Sequence, residues 1–568
     1  METKNWIDKT LFGLSKKFHH DLQMIFPKYY YAPGNYKFDD LIEKRRAALK
    51  EIDDAKFGWQ HVRACLVSGT GFFMDAYDLF AINFASTMIG YVYYNGKTPA
   101  NIDLGLKVSA SLGNLIGQLF FGWLADVLGR KKMYGIELMI IIVATVASAL
   151  CGESYAISVA ATIMVWRVIM GVGIGGDYPL SSIITSEFAT KKRRGAMMAA
   201  VFAMQGFGIL TAGLIALIVL AAFKNAIFHN VLAIDYCWRL VLGLGAIPGL
   251  AALYFRLTIP ETPRYTMEVE KNLKKASKDI SSYLQKKVNN NDNNDNNERN
   301  DNNDRNDNLS ITSSHHEALL IPKASWSDFF NYFGKWYNGK VLLGTSMSWF
   351  ALDIAFYGIG LNNGIILSAI GYSASKDPNY NIRAFESLKN MAIGNIIITI
   401  MGTIPGYWVT VLLVDRWGRK PIQFMGFGVL TALFIAMGAA FDQLKAHSIA
   451  AFIVLFVLLQ FFQNFGPNTT TFIVPGEVFP TRYRSTGHGI SAASGKLGAI
   501  VAQVGFSKLK DIGGADAFVG RLLIIFAAWM FIGGMFTLLL PETKGLSLEE
   551  LANEDHFYKK GENKKSRV

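Results

Sequence analysis

Five ionisable residues interrupt long apolar stretches of this chain, where a charge is costly. Lys496 lies among small residues in the run Ala-Ala-Ser-Gly-Lys-Leu-Gly. Asp75, Asp78, Asp177 and Asp353 lie within other apolar stretches. A charge at the centre of a bilayer costs several kcal/mol, so ionisable residues inside such stretches mark functional sites. One buried lysine and four aspartates are therefore the first candidates for the chemistry of this chain.

A buried lysine with nearby carboxylic acids is suited to binding an anion together with protons. The ammonium group of Lys496 attracts an anion, whereas ionised aspartates repel it. Burial disfavours the charged form of a carboxyl group, and a protonated carboxyl can donate a hydrogen bond to an oxyanion. Protons that move with the anion also offset the membrane potential, which opposes anion entry by about 2.3 kcal/mol per charge per 100 mV. The residues therefore predict a proton-coupled anion symporter; aspartates that only pair with Lys496 or Arg167 are the open alternative.

The composition indicates that these residues lie in a membrane. The chain has 568 residues, of which 51% are hydrophobic and 18% charged, whereas soluble chains average about 25% charged residues. Twelve stretches, here called spans 1 to 12, are mostly apolar over about 20 residues, the length that crosses a bilayer. They begin near residues 64, 106, 133, 157, 196 and 238, and near residues 341, 391, 422, 449, 489 and 522. The 3 cysteines show no CxxC spacing, which excludes a disulfide scaffold and a zinc module.

The spans divide into two groups of six around one polar interruption. The predicted segments are an N-terminal segment 1–60, a bundle 61–258, a central loop 259–340, a second bundle 341–540 and a tail 541–568. Of the 20 residues at 289–308, 17 are Asn or Asp, which predicts disorder because such a segment cannot bury apolar surface.

The basic residues predict the orientation of the chain in the membrane. Twelve Lys and Arg residues lie in the short loops after spans 2, 4, 8 and 10. By the positive-inside rule, both termini and the central loop are predicted to be cytoplasmic. The net charge of +12 therefore indicates membrane topology and not nucleic-acid binding.

The two groups of spans repeat each other in sequence. Asp126-Val-Leu-Gly-Arg-Lys after span 2 matches Asp415-Arg-Trp-Gly-Arg-Lys after span 8, and Glu187 at the end of span 4 matches Glu477 at the end of span 10. Duplicated six-helix bundles face each other with a substrate site near the midplane. The loop motifs resemble the signature of the major facilitator superfamily. The predicted fold class is therefore an all-α membrane protein with twelve transmembrane helices in two pseudo-symmetric six-helix bundles.

The repeated loop residues are candidates for contacts that open and close between helices. We interpret them as latches that break and re-form as the two halves move. The set comprises Asp126, Arg130, Arg167, Glu187, Asp415, Arg419 and Glu477. A purely structural role as ion pairs is the alternative interpretation.

The repeat also places polar residues at matching positions of the two halves. The matched pairs are Asp78 with Asp353, Tyr178 with Asn468, and Gln205 with Lys496. Asp353 stands four residues from both Trp349 and Tyr357, so these three share one helix face. The pairs predict a single chamber between the halves.

Four longer motifs carry a closer resemblance. They are Phe73-Met-Asp-Ala-Tyr-Asp-Leu-Phe, Gly175-Gly-Asp-Tyr-Pro-Leu-Ser-Ser-Ile-Ile-Thr-Ser-Glu, Trp349-Phe-Ala-Leu-Asp-Ile-Ala-Phe-Tyr and Gly476-Glu-Val-Phe-Pro-Thr-Arg-Tyr-Arg-Ser-Thr-Gly-His-Gly. With Lys496, they resemble the phosphate/proton symporter family, and most of all its fungal high-affinity inorganic phosphate transporters. The resemblance implies that phosphate is contacted by Tyr178, Gln205, Trp349, Asp353, Tyr357, Asn468 and Lys496. It also implies that Asp75, Asp78 and Asp177 serve proton coupling or gating.

The resemblance implies proton-coupled import of inorganic phosphate across the plasma membrane by alternating access. The implied partners are phosphate, protons and the lipid bilayer, with regulatory proteins on the cytoplasmic loop and tails, and with no nucleic acid, metal or cofactor. A permease for glycerophosphodiesters or other organic phosphates, and a phosphate-sensing transporter-receptor, are the alternatives. Sugar transport is disfavoured because span 7 carries Trp349, Asp353 and Tyr357 instead of a Gln- and Asn-rich face. We do not expect an enzyme, since the sequence shows no P-loop, HExxH motif or nucleophile triad.

Overall fold

A computed structural model describes residues 47–552, with gaps at 260, 270–271, 273–274, 277–278, 281–324, 370–371, 373–374, 376 and 515–516. Residues from 49 onward belong to one compact unit. A second unit comprises residues 1–48, of which only 47 and 48 are described. The predicted disordered insert at 289–308, most of the predicted N-terminal segment and the end of the predicted tail lie outside the described residues.

The first half of the compact unit contains six helical spans. They are span 1 (Trp59–Tyr93), span 2 (Ala100–Leu128), span 3 (Arg130–Ala149), span 4 (Val159–Phe188), span 5 (Arg194–Ala222) and span 6, which consists of the helices Ile234–Gly243 and Ala246–Thr258. The predicted starts of all six lie inside these helices or within two residues of them.

The second half repeats this arrangement. It contains span 7 (Trp336–Gly360), span 8 (Tyr380–Ile398, a π-helical turn Thr399–Thr403 and Ile404–Trp417), span 9 (Arg419–Ala439), span 10 (Ile449–Asn464 and Pro467–Val478), span 11 (Arg484–Leu509) and span 12 (Val519–Thr537). Span 8 begins 11 residues before its predicted start at residue 391. Its first turns carry Arg383, Glu386 and Lys389, and such polar turns give no apolar signal.

The described helices have the length and the exterior of a membrane protein. Eleven of the described helical stretches are long and apolar enough to cross a membrane. Span 11 has 26 residues, about 39 Å at 1.5 Å per residue, but it is more polar and carries Lys496. Large side chains on the outside are exposed, among them Val143, Ile218 and Leu412 at 59%, 64% and 69%. An apolar surface of this kind fits a lipid environment, and it confirms the predicted all-α membrane fold.

Spans 2 and 4 pack closely through two facing pairs of glycines. Gly113 and Gly117 lie on span 2, and Gly171 and Gly175 lie on span 4. A Cβ added at any of the four would overlap a backbone carbonyl oxygen of the opposing helix. Small residues four apart let membrane helices approach in this way. The glycines of span 4 thus hold the following segment, which carries Asp177, at a short distance from span 2.

The two halves pack against each other along spans 2 and 11 and along spans 5 and 8. The loops after spans 2, 4, 8 and 10 lie at one end of the helices, here called the basic end. The loops after the odd-numbered spans lie at the other end, here called the opposite end. These two names distinguish the ends without assigning either one to a side of the membrane.

Replacing Gly117 with alanine should lower the free energy of unfolding by about 1–3 kcal/mol, because the added methyl overlaps backbone that cannot rotate away. Gly428→Ala is the matched control. This glycine is also helical, but nothing lies near its Cβ position, so alanine should be neutral or stabilising by up to about 1 kcal/mol. Thermal unfolding of the purified protein in detergent measures the difference. Equal melting temperatures for the two variants would show that the spans do not depend on this contact.

Candidate functional site

Lys496 lies at the middle of span 11 and contacts two side chains of span 7. Its Nζ donates to Asp353 Oδ2 and to the Tyr357 hydroxyl oxygen, each at 2.9 Å. The Nζ also lies 4.2 Å from the ring centroid of Tyr357 and 5.0 Å from that of Tyr178 on span 4. All four side chains are buried. One carboxylate and two aromatic rings therefore surround the ammonium group, and Tyr178 comes from the first half.

Trp349 forms one wall of this cluster. Its ring centroid lies 6.3 Å from that of Tyr178 and 5.5 Å from that of His488 on span 11. The packing requires glycine at position 495, because a Cβ there would overlap the Trp349 ring and lie 2.9 Å from Asp353 Oδ2. Five residues for which the resemblance implies phosphate contact therefore lie together: Tyr178, Trp349, Asp353, Tyr357 and Lys496.

The remaining two implied contact residues, Asn468 and Gln205, are buried on spans 10 and 5. Asn468 Nδ2 donates to the Tyr407 hydroxyl at 2.8 Å and to Asn464 Oδ1 at 2.7 Å. Sequence reasoning missed Tyr407, since a lone tyrosine in an apolar span carries no signal. Gln205 Nε2 has no hydrogen-bond partner among the described residues. A buried donor without a partner costs about 1–3 kcal/mol, so this amide is a group that a ligand could satisfy.

Asp177 belongs to a separate ionic cluster inside the first half. Arg256 of span 6 pairs with Asp177 at 2.5 Å and with Glu137 of span 3 at 2.9 Å, and all three side chains are fully buried. Ser181 also donates to Asp177 at 2.5 Å. Sequence reasoning missed Glu137 and Arg256, although both are charges in apolar stretches. The alternative that pairs this aspartate with Lys496 or Arg167 is wrong, because its partner is Arg256.

Asp75 is buried on span 1, close to this cluster in space. Gly71 lies one turn before it, and a Cβ at Gly71 would overlap the Arg256 guanidinium and an Asp177 carboxylate oxygen. Neither carboxyl oxygen of Asp75 has a hydrogen-bond partner among the described residues. An isolated buried carboxylate is far more costly than a neutral carboxylic acid. Burial without such a partner therefore favours the neutral acid over the carboxylate at Asp75.

Asp78 points into the first half and not towards Lys496. Its Oδ2 accepts a hydrogen bond from Thr145 of span 3 at 2.7 Å, and Gly245 of span 6 packs against its other oxygen. The predicted chamber with Asp78 facing Asp353 is therefore wrong for this side chain. The repeat aligns positions along two helices, but it does not fix the direction in which each side chain points.

Arg167 does not lie with the other predicted latch residues. Its guanidinium donates to the backbone carbonyl oxygens of Leu106 at 3.0 Å and Asp78 at 3.2 Å, both in the first half. Glu187 lies 20 residues further along span 4, about 30 Å of helix away. Arg167 therefore lies towards the opposite end of span 4 and cannot reach the basic end.

At the basic end, Asp126 and Asp415 cap helices of the other half. Asp126 accepts hydrogen bonds from two backbone N–H groups in the first turn of span 11, at 2.8 and 3.2 Å. Asp415 accepts from two N–H groups in the first turn of span 5, also at 2.8 and 3.2 Å. These N–H groups lack partners within their helix and favour a negative charge. The repeated loop motif thus makes the same contact twice, once from each half.

Arginine and glutamate side chains add to the contacts at the basic end. Arg484 of the second half pairs with Glu187 of the first half at 2.9 Å. Arg130 donates to a carbonyl oxygen of the second half at 2.8 Å. Arg419 pairs with Glu477 inside the second half at 2.8 Å. Six of the seven predicted latch residues are therefore gathered at this end, where they join the halves or support the residues that do.

Segments outside the spans are also tied into the basic end. Arg264, which follows span 6, pairs with Asp53 at 2.9 Å and with Glu549, which follows span 12, at 2.8 Å. Burial alone would raise the pKa of the Glu549 carboxyl, but the Arg264 guanidinium outweighs it and lowers the pKa to about 2. This contact therefore stabilises the fold above the ordinary glutamate pKa and is lost only as the pH falls towards 2. It does not titrate between pH 4.5 and 7.

The known proteins that this chain resembles are described as transporters or permeases. The family described as sugar (and other) transporter matches residues 64–554. The repressible high-affinity phosphate permease of Neurospora crassa is 50% identical over 529 residues, which cover 90% of this chain and 90% of that protein. The inorganic phosphate transporter PHO84 of Saccharomyces cerevisiae is 48% identical over 531 residues, which cover 90% of this chain and 88% of that protein.

A solved structure shows the same fold. The proton:xylose symporter XylE of the major facilitator superfamily, from E. coli, superposes with a TM-score of 0.63 at 19% identity, over 87% of this chain and 98% of that one. At this identity the likeness concerns the fold alone. The family match over most of the chain shows that the chain is a transporter and not an enzyme. The chain therefore belongs to the sugar (and other) transporter family.

Proposed function

We propose that this protein imports inorganic phosphate together with protons across the plasma membrane by alternating access. The observation that carries the proposal is the buried contact of Lys496 with Asp353 and Tyr357, beside Tyr178 of the other half. The relatives that are named phosphate permease and phosphate transporter support the choice of anion.

Phosphate binds by replacing the partners of Lys496. When Asp353 takes up a proton, its ionic contact with Lys496 weakens, and the ammonium group becomes available to the anion. The neutral carboxyl then donates a hydrogen bond to a phosphate oxygen. The indole N–H of Trp349 and the free Gln205 Nε2 are further hydrogen-bond donors. Such N–H groups only donate, and this suits a multiply charged oxyanion, whose oxygens accept. Asn468 and the Tyr178 hydroxyl complete the proposed set.

Asp75 and Asp177 couple proton movement to a rearrangement of the ion pairs inside the first half. Arg256 already holds Asp177 and Glu137, so an ionised Asp75 would compete for the same guanidinium. Protonation of Asp75 leaves Arg256 with its present partners, whereas loss of that proton draws the guanidinium towards span 1. Tyr178 follows Asp177 directly on span 4, and it carries this change to the neighbourhood of Lys496. Asp78 stays in the proposed proton set through its contact with Thr145 of span 3.

We assign the basic end to the cytoplasm, since cytoplasmic loops carry the excess of Lys and Arg. Both termini, the central loop and the contact of Arg264 with Asp53 and Glu549 then lie on the cytoplasmic side. Phosphate leaves when the caps formed by Asp126 and Asp415 open. A regulatory protein that binds the tail near Glu549 would act on this same end.

Lys496→Ala should lower phosphate uptake about ten- to hundredfold, because a hydrogen bond to a charged group contributes about 1.5–3 kcal/mol. Labelled-phosphate uptake in a transporter-deficient cell, at two external pH values, measures the effect. Lys508→Ala is the matched control, since this lysine lies on the same span but is exposed.

Wild-type uptake should rise with external acidity, stop with an uncoupler and persist in excess glycerophosphodiester. Uptake that survives both the uncoupler and Lys496→Ala would overturn the proposal. Competition by the glycerophosphodiester would favour an organic phosphate permease instead.

Asp75→Asn should separate proton coupling from phosphate binding, because asparagine mimics the neutral acid and cannot release a proton. Net uptake should lose its dependence on external pH, while exchange of labelled for unlabelled phosphate continues. Both are measured in proteoliposomes, with the exposed Asp442→Asn as the control. An unchanged pH profile would remove Asp75 from the coupling set.

Asp126→Ala and Asp415→Ala should each weaken closure of the basic end by about 1 kcal/mol, the usual loss when a capping residue is replaced by alanine. The halves then spend more time open to the cytoplasm, and the KM for external phosphate should rise about fivefold. Initial rates of uptake over a range of phosphate concentrations give the KM. A purely structural role predicts lower protein levels with an unchanged KM, and that result would contradict the latch.

A further inference from the structure

A buried lysine joins the two halves at the opposite end as well. Lys107 of span 2 donates to Asp103 at 2.8 Å and to Asn362 Oδ1 at 3.1 Å. Asn362 lies two residues after the end of span 7 at Gly360, so the second contact crosses between the halves. The Lys107 side chain is buried, and Ser86 holds the other oxygen of Asp103 at 2.5 Å. None of these residues belongs to the repeated loop motifs or to the proposed phosphate contacts.

A continuous chain of hydrogen bonds leads from Lys107 to Lys496. Asn362 Nδ2 donates to Gln503 Oε1 at 3.2 Å, and Gln503 Nε2 donates to the backbone oxygen of Tyr357 at 2.5 Å. The hydroxyl of Tyr357 in turn accepts from Lys496 at 2.9 Å. Gln503 lies on span 11, two turns beyond Lys496. Tyr357 is therefore held by span 11 at both its backbone and its side chain.

Breaking the contact with Asn362 leaves a buried ammonium group short of a partner. Such a loss is costly for a buried ammonium group, whereas an exposed lysine exchanges its partner for water. Lys508 provides the comparison in the same molecule. It also crosses between the halves, to Asn101 Oδ1 at 3.3 Å, but it is exposed. Lys107 is therefore suited to hold the opposite end closed, and Lys508 is not.

We propose that Lys107 is the positioning residue that closes the opposite end over an occupied site. Asn362 and Gln503 make this closure depend on the position of Tyr357, and thus on the anion at Lys496. An anion held between Lys496 and the Tyr357 hydroxyl keeps span 7 beside span 11, and so keeps Asn362 in its contact with Lys107. The inference rests on the proposed phosphate transport, which supplies the anion.

Thr87→Cys provides a probe for closure. Thr87 lies on span 1 near the opposite end, partly buried, with its Oγ1 3.9 Å from the sulfur of Met391 in the other half. The rate at which a charged methanethiosulfonate modifies this cysteine reports how often the end opens. Purified protein in detergent exposes both ends to the reagent, so the assay does not depend on orientation. The same chain with Thr87 intact corrects for Cys65, Cys151 and Cys237.

Inorganic phosphate should slow modification of the Thr87→Cys protein. With Lys107→Ala added, modification should be about tenfold faster and insensitive to phosphate, since one charge-assisted contact is lost. Lys508→Ala should behave like the parent. Gln503→Glu keeps an acceptor for Asn362 but loses the donor to Tyr357, so modification should stay at the phosphate-free rate of the parent, with and without phosphate.

The outcomes separate this inference from the proposed function. If phosphate has no effect on the parent although the parent takes up labelled phosphate, this inference is overturned and the proposed function stands. A parent that takes up no phosphate overturns the proposed function. If phosphate protects the parent and Lys107→Ala equally, only the role of Lys107 is overturned. If size-exclusion chromatography shows that Lys107→Ala does not fold, Asn362→Ala serves instead. It removes the same contact but keeps Lys107. Full phosphate protection in that variant would overturn the inference.

Discussion

A charge buried in an apolar helix bundle must always have a partner, and the site depends on this constraint. In the structure Asp353 and Tyr357 are the partners of Lys496, and Gly495 gives them room. In the proposed cycle the anion takes their place. One buried polar contact then replaces another, so the site with bound phosphate and the site without it differ little in free energy. The lysine can therefore both accept phosphate and let it go, as a transporter needs.

The same constraint applies to the residues that are proposed to carry protons. Arg256 is held by Asp177 and Glu137, while Asp75 lies nearby without a hydrogen-bond partner among the described residues. This acidic cluster lies in the first half, whereas Lys496 lies in the second half. Span 4 joins them, because Asp177 contacts Arg256 and the adjacent Tyr178 contacts Lys496. In the proposed cycle, the contacts between the halves at both ends of the spans decide from which side the site is reached.

From the sequence it was possible to predict site residues that lie at repeated helical positions or that are polar within an apolar stretch. The prediction that Lys496 and the span 7 face lie in one chamber is of this kind, whereas the direct contact of Lys496 with Asp353 was only its alternative. Sequence reasoning missed Arg256 and Glu137, because it treated charges outside the recognised motifs as ordinary features of the spans. It misplaced Arg167, because alternate spans run in opposite directions and the start of span 4 lies far from the basic end. It misplaced the side chain of Asp78, because its direction follows from packing against Thr145 and Gly245.

The central claim is that phosphate binds at Lys496 together with a proton. Calorimetric titration of the purified protein with phosphate, in buffers of different ionisation enthalpy at one pH, measures protons taken up from the buffer on binding. The expected result is net proton uptake at near-neutral pH, with phosphate binding to the Lys496→Ala protein weakened about ten- to hundredfold. Phosphate binding with no proton uptake, or an affinity unchanged by Lys496→Ala, would contradict the claim.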